Sequence, residues 1–155
     1  MSFVDCILLT ASSGGHLEEI ANLSQLGEIY KVVLLTEKTN CDISSWYDEV
    51  HYVPQVNRKE VRCIPKLISN AFTSLWVLYQ HKPAAVISTG ALATIPVCLL
   101  AKLKGIKVIY IESFARMDSP SRTGRLMYKV ADKTIVQWEE LLKFYPKAIY
   151  GGSIF

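Results

Sequence analysis

The amino-acid sequence predicts a single α/β domain over residues 1–155, built on a mostly parallel sheet that helices cover on both faces. Half of the 155 residues are hydrophobic, which is enough to form a real core. Strand-length apolar runs alternate with segments of helical periodicity. Such alternation requires crossover connections, which join parallel strands. No internal repeat or low-complexity segment interrupts the pattern.

Six apolar runs are predicted to be strands. In chain order they are FVDCILLT, YKVVLLT, EVHYVP, AAVIST, KVIYIE and KTIVQ. The segments LEEIANLSQL and TIPVCLLAKLKG between them have the apolar spacing of helices. Ligands of such sheets bind outside the carboxyl ends of the strands, so we expect the site residues in the turns that follow the strands.

Composition excludes several classes of protein. The formal net charge of +3 is too small to predict a nucleic-acid partner. The cysteines, at positions 6, 41, 63 and 98, have no CxxC spacing, so we expect reduced thiols and neither a zinc site nor a disulfide framework. No secretory signal is recognised, and the longest apolar run, ALATIPVCLLA, is too short to span a bilayer and contains Pro96. We therefore expect a cytoplasmic or peripheral protein.

Two glycine-containing turns predict a site for an anion. The turn after the first strand reads SSGGH, and the turn after the fourth reads STGALATIP. Glycine permits a tight turn, and the free N–H groups of a following helix favour a phosphate or diphosphate. The candidate contacts are Ser13, Gly14, Gly15, His16, Ser88, Thr89, Gly90 and Ala91. Each turn is alternatively an ordinary strand-to-helix connection, and His16 is a ligand contact, a general base or a polar first-turn residue.

A basic and apolar segment lies between the third and fourth strands. Its cations are Arg58, Lys59, Arg62 and Lys66, and its apolar residues at helical spacing include Ile64, Leu67, Ile68, Phe72 and Trp76. Cations beside an apolar helix face suit a membrane interface. Periodicity alone favours the other interpretation, in which this stripe packs on the sheet.

Three motifs taken together resemble the acceptor-side, N-terminal half of a GT-B glycosyltransferase, which is a Rossmann-like domain. They are LLTASSGGHLEE, STGALATIPVCLLAKLKGIKVIYIESFAR and VQWEEL. More narrowly, the chain resembles the family that contains the membrane-recruiting subunit of the dolichol-pathway N-acetylglucosaminyltransferase and its bacterial capsule and exopolysaccharide counterparts. It is also similar to the N-terminal domain of the peptidoglycan enzyme that glycosylates a lipid-linked sugar. The resemblance runs from about residue 3 to the C-terminus.

The resemblance implies an enzyme divided between two chains. This chain is expected to bind a polyprenyl-diphosphate-linked acceptor, and a small partner chain is expected to bind the nucleotide sugar for an inverting, β-forming transfer. No cofactor is implied, and no metal is expected because the sequence has no DxD motif. The C-terminal GGSIF stands where a single-chain enzyme would cross to its second domain. We therefore expect Gly151, Gly152, Ile154 and Phe155 to contact the partner, with a flexible terminus as the alternative.

The resemblance also implies roles for individual residues. The glycine loops would hold the acceptor diphosphate, and Glu112 in ESFAR would face the cleft and orient or deprotonate the acceptor hydroxyl. Arg116 would meet phosphate or the partner chain, unless it pairs with Glu112 to hold the loop. The choice of base between His16 and Glu112 stays open, because a base must reach the proton that it removes.

Membrane association follows from the same resemblance. A lipid-linked acceptor has to be met at the membrane surface, so the segment from Arg58 to Trp76 is expected to contact the cytoplasmic face of an inner or plasma membrane. The eukaryotic subunit has an N-terminal anchor and none is recognised here, which favours a bacterial member.

Two rival functions remain at this stage. One is an enhancer that docks a catalytic partner without a base of its own. The other is a stand-alone nucleotide-binding enzyme, for which Glu37 would bind a ribose although GxGxxG is absent.

Overall fold

A computed structural model describes residues 5–40 and 42–155. The predicted beginning of the first strand at residue 3, and Cys41, lie outside this part of the chain. Seven parallel strands form one sheet in the order β3-β2-β1-β4-β5-β6-β7. Their bounds are β1 Cys6–Ala11, β2 Lys31–Glu37, β3 Glu49–Val53, β4 Ala85–Ser88, β5 Lys107–Ile111, β6 Lys133–Val136 and β7 Ile149–Tyr150.

Four α-helices provide crossover connections. They are α1 Gly15–Ala21, α2 Cys63–His81, α3 Ile95–Leu103 and α4 Arg122–Val130. Short 3-10 helices at Ser24–Glu28, Leu92–Thr94 and Glu139–Lys143 complete the connections. The first predicted helix is therefore shorter than LEEIANLSQL suggests, because the chain tightens into a 3-10 turn after Ala21.

Apolar side chains cover both faces of the sheet, as the alternation of strands and helices predicts. On one face, buried residues of α2, α3 and α4 pack on alternate residues of the inner strands, for example Met127 and Val97 near Val86. On the other face, Leu17 and Ile20 of α1 pack with the remaining alternate residues. The predicted Rossmann-like α/β class is confirmed.

The strand order locates the expected binding edge. Chain order reverses between β1 and β4, which lie side by side in the centre of the sheet. In open α/β sheets ligands bind at such a switch point, outside the carboxyl ends of the strands. The SSGGH and STGA turns both begin there.

Candidate functional site

An open cleft of about 460 Å³ lies at the switch point. Residues from three loops line it, together with the first turns of α1 and α4: His16, Arg58, Ala91, Ser113, Ala115, Arg116, Pro120, Ser121, Arg122 and Thr123. His16, Ala91 and Arg116 are therefore brought together as the sequence analysis expected. The other lining residues were either missed or given another role.

Backbone geometry shapes the two glycine turns. Gly14 has φ +78° and Gly90 has φ +108°, values that glycine adopts without steric cost. Ala91 also has a positive φ of 77°, which is strained for a residue with a Cβ and is common at ligand sites. The Thr89 hydroxyl donates to the His16 carbonyl at 2.8 Å and so ties the two turns together.

Several predicted diphosphate contacts do not line the cleft, because the fold uses their polar groups. Ser13 donates through its N–H and its hydroxyl to the Glu37 carboxylate, both at 3.3 Å. Ser88 is fully buried and its hydroxyl donates to Thr94 at 3.0 Å. Thr89 is also fully buried. The expectation that these hydroxyls are free to bind an acceptor is not supported.

The glycines of these turns differ in position. Gly14 lines a smaller pocket beside Tyr47 and not the cleft, and Gly90 is buried with the Tyr110 hydroxyl close to it. Gly15 starts α1 and has open space where a Cβ would stand. From this turn, His16 and the backbone N–H groups at the start of the seven-residue helix α1 are left as candidate contacts.

Three arginines dominate the electrostatics of the cleft. Among the residues that the structure describes, Arg58, Arg116 and Arg122 line it and no carboxylate does. Within the described residues none of the three forms an ion pair. The Arg58 guanidinium donates to the Thr123 hydroxyl at 3.1 Å, which joins the loop before α2 to α4. Guanidinium groups bind phosphate oxygens in a bidentate manner, so the cleft has the chemistry to bind an anion.

His16 is the titratable side chain of the cleft that has the chemistry of a general base. Its Nδ1 atom is buried and has no hydrogen-bond partner among the described residues. Such an atom is unusual, because a buried polar group without a partner is costly.

Glu112 does not face the cleft, contrary to the expectation from the sequence. Its side chain is fully buried. Oε1 accepts from the hydroxyls of Tyr110 and Ser121, both at 2.9 Å, and Oε2 accepts from the Tyr145 hydroxyl at 2.7 Å. The alternative Glu112–Arg116 ion pair is also not seen between these described residues. Glu112 is therefore not exposed to the cleft, and its hydrogen bonds support the surrounding loops.

The Glu112 contacts hold the first turn of α4 in place. Ser121 is the N-cap of α4 and its hydroxyl accepts from the Gly124 N–H at 2.7 Å. A Cβ at Gly124 would collide with the Glu112 carboxylate and the Tyr145 hydroxyl, so glycine is required for this close approach. Arg122 and Thr123 lie between the cap and this glycine. Glu112 is thus a positioning residue for the arginine cleft.

Both tyrosines that donate to Glu112 are strongly perturbed. Burial, followed by the neighbouring Glu112 charge, raises the pKa of Tyr110 well above its ordinary 10.0. Burial and the hydrogen bond to Glu112 raise the pKa of Tyr145 in the same direction. Both phenols therefore remain protonated donors throughout the physiological range.

A second buried carboxylate connects the site to the C-terminal segment. Glu19 accepts from the Ser113 hydroxyl at 2.9 Å and from Gln137 at 3.1 Å, and burial raises the pKa of Glu19. The Gln137 side-chain oxygen accepts from the Ile154 N–H at 3.1 Å. The Phe155 ring packs against Phe114 with centroids 5.3 Å apart. The segment expected to contact a partner thus docks against the loop that carries Arg116.

Helix α2 presents its apolar stripe to solvent, whereas its periodicity favoured packing of this stripe on the sheet. The polar side chains of Asn70 and Ser74 face the core, and both are fully buried. The apolar stripe faces solvent: Ile64 and Phe72 are 71% exposed, and Ile68 and Trp76 are 54% exposed. Leu75 and Tyr79 extend the stripe, and at 100° per residue it spans about a third of the helix circumference. Such a contiguous apolar patch marks an interaction surface.

Cations lie beside the N-terminal end of this apolar face. Lys59 and Arg62 are exposed, whereas Lys66 pairs with Glu60. Among the described residues, no helix is both long and apolar enough to cross a membrane.

The family of the chain follows from comparison with known proteins. A family model described as "Oligosaccharide biosynthesis protein Alg14 like" matches residues 35–154. The chain belongs to the Alg14-like family. The human protein named UDP-N-acetylglucosamine transferase subunit ALG14 is 29% identical over 178 residues, which cover 96% of this chain and 82% of the human protein. The Candida albicans subunit of the same name is 29% identical over 163 residues, with coverages of 92% and 74%.

Solved structures agree on the fold of this Alg14-like chain. MurG from Acinetobacter baumannii superposes with a TM-score of 0.66 at 19% identity and covers 85% of this chain. A UDP-N-acetylglucosamine 2-epimerase from Rickettsia bellii superposes with a TM-score of 0.74 at 15% identity and covers 96%. The chain spans only 41% and 45% of these longer proteins, and at these identities the likeness shows the fold alone.

Proposed function

We propose that this Alg14-like chain is the acceptor-binding, membrane-recruiting subunit of a two-chain, inverting glycosyltransferase. The reaction would move a sugar from a nucleotide sugar to a polyprenyl-diphosphate-linked acceptor. The observation that carries the proposal is the cleft at the switch point, where Arg58, Arg116 and Arg122 meet without a carboxylate. The relatives, which are named as subunits of a UDP-N-acetylglucosamine transferase, support a role within a transferase.

The arginine cleft suits a diphosphate. Two phosphates offer several oxygens to guanidinium forks, and each charge-assisted hydrogen bond is stronger than a neutral one. Arg58 is already restrained by the hydrogen bond that it donates to Thr123, and the cap of α4 orients Arg122 next to it. Less side-chain entropy is therefore lost when the ligand binds. These groups neutralise the acceptor diphosphate without a metal or cofactor in the proposed transfer.

His16 is the base that we propose for this chain. In an inverting transfer the acceptor hydroxyl forms a bond to the anomeric carbon, the bond to the nucleoside diphosphate breaks, and the hydroxyl proton goes to a base. The Glu112 carboxylate is surrounded by donors from its own chain and cannot reach that hydroxyl in this arrangement. His16, in contrast, lines the cleft.

The outward face of α2 is proposed to lie on the membrane. Arg58 lines the cleft and Lys59 and Arg62 follow it towards α2, so a lipid-linked diphosphate in the cleft would have its chain near the apolar stripe. Anionic head groups would attract the cations, and the acyl boundary would accept Phe72 and Trp76. The chain would then act peripherally at the cytoplasmic face of an inner or plasma membrane.

The partner and the biological setting complete the proposal. A small chain would supply the nucleotide-sugar site and contact Gly151, Gly152, Ile154 and Phe155, of which Phe155 is 62% exposed. The setting in bacterial capsule or exopolysaccharide assembly rests on the resemblance of the sequence motifs, since the relatives described above are human and fungal.

Acceptor binding tests the proposal at the cleft. A short-chain polyprenyl diphosphate sugar in detergent would be titrated into wild type, Arg116→Ala, Arg122→Ala and the control Arg125→Ala. Arg125 is exposed on the same helix but does not line the cleft. Loss of a charge-assisted hydrogen bond costs about 1.5–3 kcal/mol, so each cleft variant should bind about 10- to 150-fold more weakly. Equal affinity in all four proteins would refute the diphosphate site.

The second candidate is an enhancer that docks the catalytic chain and supplies no base. The burial of Glu112 favours it, because His16 is then the base candidate left in the cleft. His16→Gln separates the two functions: proton abstraction by His16 predicts a loss in kcat of at least about a hundredfold with acceptor affinity kept. Docking alone predicts an unchanged kcat.

A stand-alone nucleotide-binding enzyme is disfavoured. The Glu37 carboxylate that would bind a ribose is buried and accepts from Ser13 and from the Val56 N–H at 2.9 Å.

A further inference from the structure

A second cluster of ligand atoms lies on the edge strand, outside the cleft. Glu49 and His51 are two residues apart on β3 and so point to the same side of the sheet. His81 is the last residue of α2, which returns from the cleft edge to this end of the molecule. His51 and His81 are thirty residues apart in the sequence, and the fold brings them into contact.

The ligand atoms of the cluster lie close enough together to bind one metal ion. The Nε2 atoms of His51 and His81 are 2.8 Å apart. Glu49 Oε2 lies 3.8 Å from the first of these and 3.6 Å from the second. A tetrahedral zinc ion with bonds of about 2.0–2.1 Å separates its ligands by roughly 3.3–3.4 Å. The three observed distances bracket this value, so small side-chain movements would seat an ion.

A lysine beside the cluster engages one oxygen of Glu49 and leaves the other free for an ion. Lys31 Nζ binds Oε1 at 2.8 Å and leaves Oε2 for the imidazoles, as an outer partner does in known metal sites.

We propose that Glu49, His51 and His81 bind a divalent first-row transition-metal ion such as Zn²⁺. Two imidazole nitrogens and one carboxylate oxygen are a familiar set of zinc ligands, and water would occupy the fourth position. The ion would join the edge strand β3 to the last turn of α2. The Trp76 ring packs edge-on against His51 at 5.3 Å, so the ion would also hold the C-terminal half of the exposed apolar face in place.

This site is separate from sugar transfer. It lies at the opposite end of α2 from Arg58, and none of its three ligands lines the cleft. No metal was expected from the sequence because it has no DxD motif. That argument concerns the phosphate-binding site and not this cluster. Without an ion, the same atoms would form a hydrogen bond between the two rings, with Glu49 beside them.

Metal binding to the untagged, full chain tests the proposal. Zn²⁺ and Co²⁺ would be titrated into the metal-stripped protein, followed by isothermal calorimetry and by the visible spectrum of Co²⁺. The variants are Glu49→Gln, His51→Gln and His81→Gln, and the matched control is His16→Gln, which removes the third histidine of the chain. Thermal melts of the metal-stripped proteins establish that each variant folds.

The expected result is one ion per chain, a Co²⁺ spectrum typical of tetrahedral nitrogen and oxygen ligation, and a rise in Tm on addition of Zn²⁺. Each of the three variants should weaken binding at least about tenfold, whereas His16→Gln should not. The proposal is overturned if the wild type binds no ion at micromolar concentration, since the cluster is then a hydrogen bond only. It is also overturned if the three variants keep wild-type affinity, or if the Co²⁺ spectrum shows thiolate ligation.

Discussion

Replacing two outward residues of α2 should separate membrane binding from folding. Full burial of an isoleucine or phenylalanine side chain is worth about 1.5–3 kcal/mol. Ile64 and Phe72 are each 71% exposed in the free chain, so this fraction is available to a membrane. Each change to serine should therefore cost about 1–2 kcal/mol of membrane binding, and Ile64→Ser/Phe72→Ser about 2–4 kcal/mol. That loss corresponds to about a 30- to 800-fold weaker partition constant.

Flotation with phosphatidylglycerol-containing vesicles, at a series of lipid concentrations, measures this constant. The control is Ile29→Ser/Leu103→Ser, in which residues that are 63% and 83% exposed are replaced away from α2. Both double variants should keep the wild-type free energy of unfolding to within about 0.5 kcal/mol per site, because the side chains face solvent. The reasoning is refuted if the α2 variant binds vesicles like the wild type, or if the control loses as much binding.

Three further predictions concern the support of the cleft. Glu112→Gln places an amide nitrogen among hydrogen-bond donors, so it should lower the free energy of unfolding by about 1–3 kcal/mol in urea titrations. The affinity for the acceptor should fall as well. A stable variant that binds the acceptor normally but is inactive would instead support a catalytic role for Glu112. Ser121→Ala removes the α4 cap and should cost about 0.5–2 kcal/mol by the same assay, whereas Ser119→Ala, in the exposed loop before it, should cost little. The pKa of Tyr145 is raised in the folded chain, so this phenol contributes to the free energy of unfolding. That contribution is fully present below the ordinary tyrosine pKa of 10.0 and is lost as the pH rises above 10.0. Urea unfolding at stepped alkaline pH should show a steeper loss for the wild type than for Tyr145→Phe, and parallel curves would contradict this assignment.

The order of strands and helices is readable from the sequence because burial on both faces produces continuous apolar runs. All six predicted strands appear in the sheet. The seventh, Ile149–Tyr150, was missed because its two residues are exposed and no apolar run marks it. The switch point follows from strand order, which the sequence alone does not contain.

The side chains of the site were less predictable than the loops that carry them. The segment ESFAR was recognised, but whether Glu112 faces the cleft depends on Tyr110, Ser121 and Tyr145, which lie on three different elements. Arg122 follows ESFAR by six residues, yet only the cap at Ser121 directs the start of α4 to the cleft. Ser88 and Thr89 carry hydroxyls of the right kind, but internal hydrogen bonds had already engaged them.

The orientation of α2 shows a limit of periodicity. An apolar stripe at helical spacing predicts an amphipathic helix but does not say which side meets the sheet. Here Asn70 and Ser74 face inwards, and the Asn70 amide donates to the Pro54 carbonyl at 3.4 Å. The expectation of membrane contact, taken from the family resemblance, agrees with this exposure better than the packing interpretation does.

Transfer of a radiolabelled sugar tests the central claim most directly. A panel of nucleotide sugars would be offered to membranes that contain a polyprenyl-diphosphate-linked acceptor, with this chain alone, with a candidate donor-binding partner chain alone, and with both together. We expect that transfer requires both chains, or is greatly increased by both, and that Arg116→Ala in the reconstituted pair reduces it. Full activity of this chain alone would contradict the account, because the chain would then carry its own donor site.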